Sequence, residues 1–471
     1  MANEKLDTRQ KALQINLNHM QYGTFAEIGA GQEVARWFFR VGGASGTVAK
    51  TISAYDMAVS DGIYGPADHY VSRQRLQAML DDEFKVLLEM LDKPRGGRST
   101  FFVFADTVAT RSYSRQENGQ GWLGIRFQCK PQESPSEILI HVKMLDAESV
   151  REQEALGIIG VNLIHGAFYL NSAPLQIISS LTDNLTPGRF EIDMIKFCGP
   201  AFVGVDNRLM ALQLVEQGLT EAIMFTANGE TVIPSEVIYK KPVLVQRGSF
   251  RPLTNPMLDM LERAQELFGK EEDLNGEVPV VLFEMTLRLL QTGDVIDHGD
   301  FLDCVDTLCT LGKPVLISNF LHFHRLLTYL SGHTQKPIGL PMGLVLLRDV
   351  LDENFYTDLP GGLLESLGQL FKNSTTLYVY PSLDEKTGQL VTVENLEIAS
   401  HLRHLYAHLV ENHFVEGIPN YNPGYLRIYS ATVLDKIQAG DDSLAELVPS
   451  PIFQIIKSKR LFGWGEKPAK A

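Results

Sequence analysis

From Phe190 onward, short apolar runs alternate with amphipathic stretches, and this alternation restricts what the chain can fold into more than any other feature. The strand-like runs are Glu191–Phe197, Ala222–Phe225, Pro242–Val245, Val278–Glu284, Pro314–Ser318, Pro337–Leu340 and Thr376–Tyr380. Helical stretches lie between many of them, such as Asn207–Gln217 with Leu209, Leu212 and Val215, and Met257–Phe268 with Leu258, Leu261, Ala264 and Leu267. Leucines at that spacing line one face of a helix. Several of the strand-like runs are apolar throughout, as when a strand is covered on both faces by helices. The pattern predicts an α/β domain with a doubly wound, mostly parallel sheet over residues 186–392, and a helical C-terminal extension over 393–471.

The first 185 residues read differently and predict an α+β domain. Leu76, Met79, Leu80, Phe84, Leu87, Leu88 and Leu91 recur at helical spacing from Ser72 to Leu91, and Lys93-Pro94-Arg95-Gly96-Gly97 breaks the helix. Three β-prone runs follow, Thr100–Val108, Trp122–Cys129 and Glu137–Met144, with polar connections that suit an antiparallel sheet. Residues 155–170 form the longest apolar stretch. It is shorter than the ~20 residues of a spanning helix and contains Asn162 and His165, so a buried core helix is expected and no membrane role. At 471 residues the chain exceeds one ordinary core, and two or three domains are expected. The net charge of −15 repels phosphate backbones and excludes a general nucleic-acid binder. The polar start Met1–Asp7 has no apolar run behind it and Cys129, Cys198, Cys304 and Cys309 show no paired spacing, so a cytoplasmic chain with reduced thiols is expected.

Between a strand-like run and a helix stands Gly248-Ser249-Phe250-Arg251-Pro252-Leu253-Thr254-Asn255-Pro256-Met257-Leu258-Asp259. This stretch resembles the first signature of nucleotidyltransferases that adenylylate nicotinate mononucleotide or phosphopantetheine, G-[ST]-F-x-P-x-[TH]-x-G-H. Pro256 stands where that signature has glycine, and Met257 where it has the second histidine. The resemblance implies a Rossmann-like domain that binds a small-molecule nucleotide, with ATP and Mg2+ as cofactors. It implies that Gly248, Ser249, Arg251 and Thr254 position phosphates. Ile317-Ser318-Asn319-Phe320, followed by Arg325, is the nearest counterpart of the second signature and adds Ser318. A thioether carries neither charge nor a strong donor, so Met257 cannot stabilise departing pyrophosphate. Pro256 suits the first position of a helix, so the turn survives the change.

Other constellations have plainer readings beside the functional ones. Gly42, Gly43 and Gly46 with Lys50 make an anion nest, supported by Arg36 and Arg40, or else loose packing around small residues. Glu27-Ile28-Gly29-Ala30-Gly31 resembles the glycine loop of methyltransferases, although Tyr22–Ala26 is a poor preceding strand. His401, His404 and His408 have metal-ligand spacing but flank the packing positions Leu402, Leu405 and Leu409, and no metal site is assigned. Asp297, Asp300, Asp303 and Asp306 suit the start of a helix, with a magnesium role as the alternative. Pro314–Asn319 resembles the second motif of haloacid-dehalogenase-like phosphatases, but Phe283-Glu284-Met285-Thr286 ends the preceding strand without the aspartate nucleophile, which excludes that class. The expected function is a nucleotide-binding protein of the adenylyltransferase-like kind. The alternatives are a non-catalytic scaffold that self-assembles as a homo-oligomer, and an S-adenosylmethionine-dependent enzyme using the Gly29 loop.

Overall fold

The computed structural model describes residues 5–111, 118–292, 295–384 and 386–466. The chain folds as two compact units, Met1–Glu221 and Ala222–Ala471.

The first unit is built on β1 (Gln21–Ile28), β2 (Val48–Ile52), β3 (Thr100–Ala109), β4 (Gln120–Phe127), β5 (Ser136–Met144) and β6 (Phe190–Cys198), in the order β2-β1-β3-β4-β5-β6. The β3, β4, β5 and β6 neighbours pair antiparallel, as the sequence leads one to expect for the first three. β1 and β2 add a parallel half, so the sheet is mixed. The run at 191–197 is β6, and it joins this sheet rather than the second one because Ile192 and Ile195 meet Val142 and Ile140 of β5 across the ladder. Helix α5 (Asn207–Glu216) packs against β6 and closes the unit beyond the boundary expected at 185. The Asn207 amide fastens the two by bonding both Phe197 N (2.7 Å) and Phe197 O (3.0 Å).

Helices α2 (Glu33–Arg40), α3 (Arg73–Leu91) and α4 (Ser149–Tyr169) cover this sheet, and α1 (Thr8–Asn16) packs on α2 and α4. α4 is the apolar stretch of the sequence, and its small residues decide how close α2 can come. A Cβ on Gly160 would stand 2.3 Å from a Val34 methyl, and one on Gly157 would stand 3.1 Å from Trp37 Nε1. Two polar side chains of α4 find partners inside: Lys11 Nζ donates to Asn162 Oδ1 (2.9 Å) and to Asp183 Oδ2 (2.6 Å), and His165 Nε2 meets Gln14 Oε1 (2.9 Å), while His165 Nδ1 is buried without a partner. Among the described residues no helix is long and apolar enough to cross a membrane.

The second unit holds β7 (Ala222–Phe225), β8 (Thr231–Val232), β9 (Val243–Arg247), β10 (Val280–Thr286), β11 (Val315–Ser318), β12 (Ile338–Gly343), β13 (Thr375–Tyr380) and β14 (Val415–Gly417). Their spatial order is β14-β13-β12-β9-β10-β11-β7-β8. Strands β9 to β14 run parallel with their neighbours, and only β7 and β8 are antiparallel. The sheet is therefore Rossmann-like and mostly parallel. β14 lies within the stretch expected to be helical, and Val415, 1% exposed, seals the edge beside Leu377. From β9 the chain steps outward through β10 and β11, then crosses back to lay down β12, β13 and β14 on the other side. The order reverses between β9 and β12, which is the switch point where ligands bind in open α/β sheets.

Candidate functional site

β9 and β12 pair only through Val243 with Ile338 and Leu244 with Gly339. Beyond that register they part, and the carboxyl ends of the strands open into two clefts. One, of about 470 Å³, is lined by Arg247, Gly248, Ser249, Thr286, Arg288 and His322 among others. The other, of about 410 Å³, lies along α6 (Asn255–Phe268) and includes Gln246, Met257, Gly343, Tyr380 and Tyr429. They share Arg247, Gly248 and Leu346, so the turn after β9 forms the wall between them.

That turn is held from below. The Gly248 amide donates to Glu284 O (3.1 Å). Phe250 takes a positive φ of 48° and is fully buried, its ring 5.1 Å from that of Phe283. Arg247, at the end of β9, faces Glu284 of β10 with two bonds, Nε to Oε2 (2.5 Å) and Nη2 to Oε1 (3.1 Å). Its remaining nitrogen donates to Leu321 O (3.2 Å), and its guanidinium lies 4.6 Å from the Phe323 ring centroid. Ser318 donates its hydroxyl to Glu284 Oε1 and accepts the Phe320 amide (3.2 Å).

The structure distributes the residues marked in the sequence as follows. Gly248 and Ser249 line the first cleft. Arg251 turns away and pairs with Asp300 at 2.5 Å. Thr254, 2% exposed, precedes α6 without capping it through its side chain. Ser318 is fully buried on Glu284. Met257 lines the second cleft, and its backbone oxygen accepts Gln246 Nε2 (3.0 Å). Asp259, at the motif's last position, accepts Tyr380 Oη (2.6 Å) and the Asn422 amide (2.9 Å), tying α6 to β13.

Sequence reading passed over Gln246, Arg288 and His322. His322 precedes the helix Phe323–Ser331 and its ring stacks on that of His324, centroids 5.7 Å apart. Burial lowers the pKa of both; positive Arg247, Arg325 and Arg288 lower that of His322 further. The signal for His322 is position, in the turn that follows β11, as Arg288 follows β10 and Gln246 stands next to last in β9.

The remaining constellations are engaged in structure. Lys50 pairs with buried Glu83, and the Asn16 amide ties down the glycine loop by donating to Gly42 O (2.7 Å) and Phe38 O (2.8 Å). Gly42 and Gly43 have positive φ, while a Cβ on Gly46 would stand 2.9 Å from His19. The poor strand before Gly29 is β1, a largely buried strand between β2 and β3. Gly23 there is obligatory, since a Cβ would stand 2.3 Å from Phe102 O. The Gly29 turn leads into α2, but Glu27 already occupies the helix start, accepting Val34 N and Ala35 N, both at 2.9 Å. The Val34 and Ala35 amides that a phosphate would seek there are already taken. Asp297 caps the helix α7 (His298–Cys309), Asp303 accepts the Phe462 amide (2.5 Å) and Asp306 pairs with Lys459 (2.9 Å). His401 meets Glu353 (2.7 Å) and His408 meets Asn412 (3.1 Å). Among the described residues no group of three or more His, Cys, Asp or Glu side chains is placed to hold a metal.

Neither a protein-family model nor a curated protein matches the chain. Among solved structures, competence/damage-inducible protein CihA from Agrobacterium tumefaciens is 16% identical, with 35% of this chain and 97% of that one covered and a TM-score of 0.25. Plasmodium falciparum nicotinic acid mononucleotide adenylyltransferase, complexed with APC, is 10% identical over 48% of this chain and 98% of its own, with a TM-score of 0.29. Likenesses this slight say nothing of what the chain does, and the site stands on its own geometry.

Proposed function

We propose that the unit Ala222–Ala471 binds a nucleotide in the crevice where β9 and β12 part, and that it does so without adenylyl transfer. The observation that carries this is the reversal of strand order at β9, with Gly248 and Ser249 placed between two clefts at the carboxyl edge. Absence of transfer follows from the chemistry of the turn. Met257 offers no charge to a leaving pyrophosphate, and the guanidinium groups of Arg247 and Arg251 are spent on Glu284 and Asp300.

Isothermal titration of the full chain with ATP, with and without Mg2+, tests the reading. Saturable heat is expected in the parent and none in Gly343→Phe. Nothing lies within 4 Å of a Cβ at Gly343, and its φ of −83° suits any side chain, so the ring would fill the second cleft without straining the backbone. Absence of heat in the parent at high protein concentration would overturn the proposal. A second reading, a scaffold that reuses the fold and assembles with itself, is favoured by the same internal ion pairs, which stabilise the turn and leave its arginines nothing to bind. Light scattering on eluting protein separates the two: a monomer that binds ATP rejects the scaffold.

A further inference from the structure

Resting on the crevice reading, we propose that the cleft along α6 recognises a neutral, planar heterocycle bearing an N–H donor, such as an amino-substituted nucleobase, and that phosphate contributes nothing to its affinity. Gln246 sets the polarity of the site. Its side chain is 1% exposed and lines the cleft, and its Oε1 has no hydrogen-bond partner. The amide cannot be turned over to relieve this, because Nε2 is held as a donor by the Met257 carbonyl. The group that meets Oε1 must therefore donate. A phosphate or carboxylate oxygen brought there would face a bare acceptor, whereas an exocyclic amine or ring N–H would satisfy a buried oxygen that is otherwise costly to leave alone.

The walls agree with this. Tyr380, Tyr425, Tyr429, Met257, Met260 and Pro381 present rings and flat apolar surface of the kind on which a base stacks. Among the described residues lining this cleft Arg247 alone is charged, and Glu284 neutralises it. The start of α6 offers little to an anion as well. The Asn255 amide donates to Leu447 O (2.9 Å), Pro256 has no amide proton, and the Leu258 amide donates to Thr254 O (3.0 Å). Behind the wall, the carboxylate of Asp259 takes the Tyr380 hydroxyl. A polyphosphate would enter against an acceptor, with no unpaired cation among the described lining residues to meet it.

The test is titration calorimetry of the full chain with adenosine, AMP, ATP and purine riboside, which lacks the exocyclic amine. Adenosine, AMP and ATP are expected to bind within about threefold of one another, unchanged between about 50 and about 500 mM NaCl. Purine riboside is expected to bind at least about tenfold more weakly than adenosine. Gly343→Phe should abolish binding of all four, and Gln246→Met should remove the preference for adenosine over purine riboside. Tyr429→Ala, at a half-exposed rim position, provides a variant independent of the buried amide and should weaken all four ligands alike. ATP binding about tenfold or more tightly than adenosine, with affinity that falls as salt rises, would overturn this inference and leave the crevice reading standing. Binding by none of the four, or binding indifferent to Gly343→Phe, would overturn both.

Discussion

Glu284 accepts from Arg247 twice and from Ser318 once, with no water-exposed surface of its own. Buried charges persist only when paired, so removing one partner exposes the cost of the other. Glu284→Gln is expected to destabilise the protein by about 3–5 kcal/mol, read from the urea midpoint; a loss below about 1 kcal/mol would mean that Arg247 finds other company. A second pair behaves in the opposite sense. Glu27 of β1 and Asp106 of β3 stand side by side in register, with the Ile28 amide on Asp106 Oδ1 at 3.2 Å. Burial raises Glu27 to about 7, against the partial relief of its two amide bonds, and raises Asp106 too, with Glu27 adding to the push. The folded state thus holds protons that the unfolded chain has released. Their contribution is fully present below the unfolded value of 4.5 and is lost as pH rises towards about 7. Relative to the parent, Asp106→Asn should gain stability on going from acid to neutral pH, at up to about 1.4 kcal/mol per unit. Parallel urea midpoints for the two proteins across that range would refute this.

Most strands of the second unit could be read from the sequence, because Ile, Val and Leu runs such as Val315–Ser318 have no other stable use between helices. What could not be read is which sheet a strand joins. Phe190–Cys198 looks like its successors in the chain, yet its partner is β5, because the choice depends on where Ile140 and Val142 lie in space. β1 reads as a poor strand for a different reason: glycine at 23 and a carboxylate at 27 argue against an interior strand unless one knows that Phe102 leans on the first and that α2 donates to the second. At the candidate site the turn was legible through Gly248 and Ser249, whereas Gln246 and His322 gain their meaning only from cleft walls contributed by distant segments. The crossing of α4 with α2 also belongs to this scale. Gly160→Leu must displace Val34 or the helix itself, and a loss of about 1–3 kcal/mol or more is expected in thermal or urea melts, with Gly160→Ala milder. A stable Gly160→Leu variant would show that the helices can move apart.

For the whole chain, length predicts two or three domains, and the contacts divide it into two units, each built over a sheet of its own. Three tryptophans distinguish them: Trp37 and Trp122 belong to the first unit and Trp464, packed on Phe453 at 5.9 Å, to the second. Unfolding in urea is expected in two steps, with a variant that retains only Trp464 following one of them. Superimposable transitions from all three reporters would instead mean one cooperative unit. The carboxylate of Glu27, seated on the amides of α2, has a consequence of its own. Above about pH 7 the helix carries its counter-ion as part of the polypeptide, so shortening that side chain creates a vacancy with the shape and polarity of a small anion. In a Glu27→Ala protein, added formate or acetate would act as a detachable prosthesis, and the stability it restores would measure how far this molecule has made an external ligand into one of its own residues.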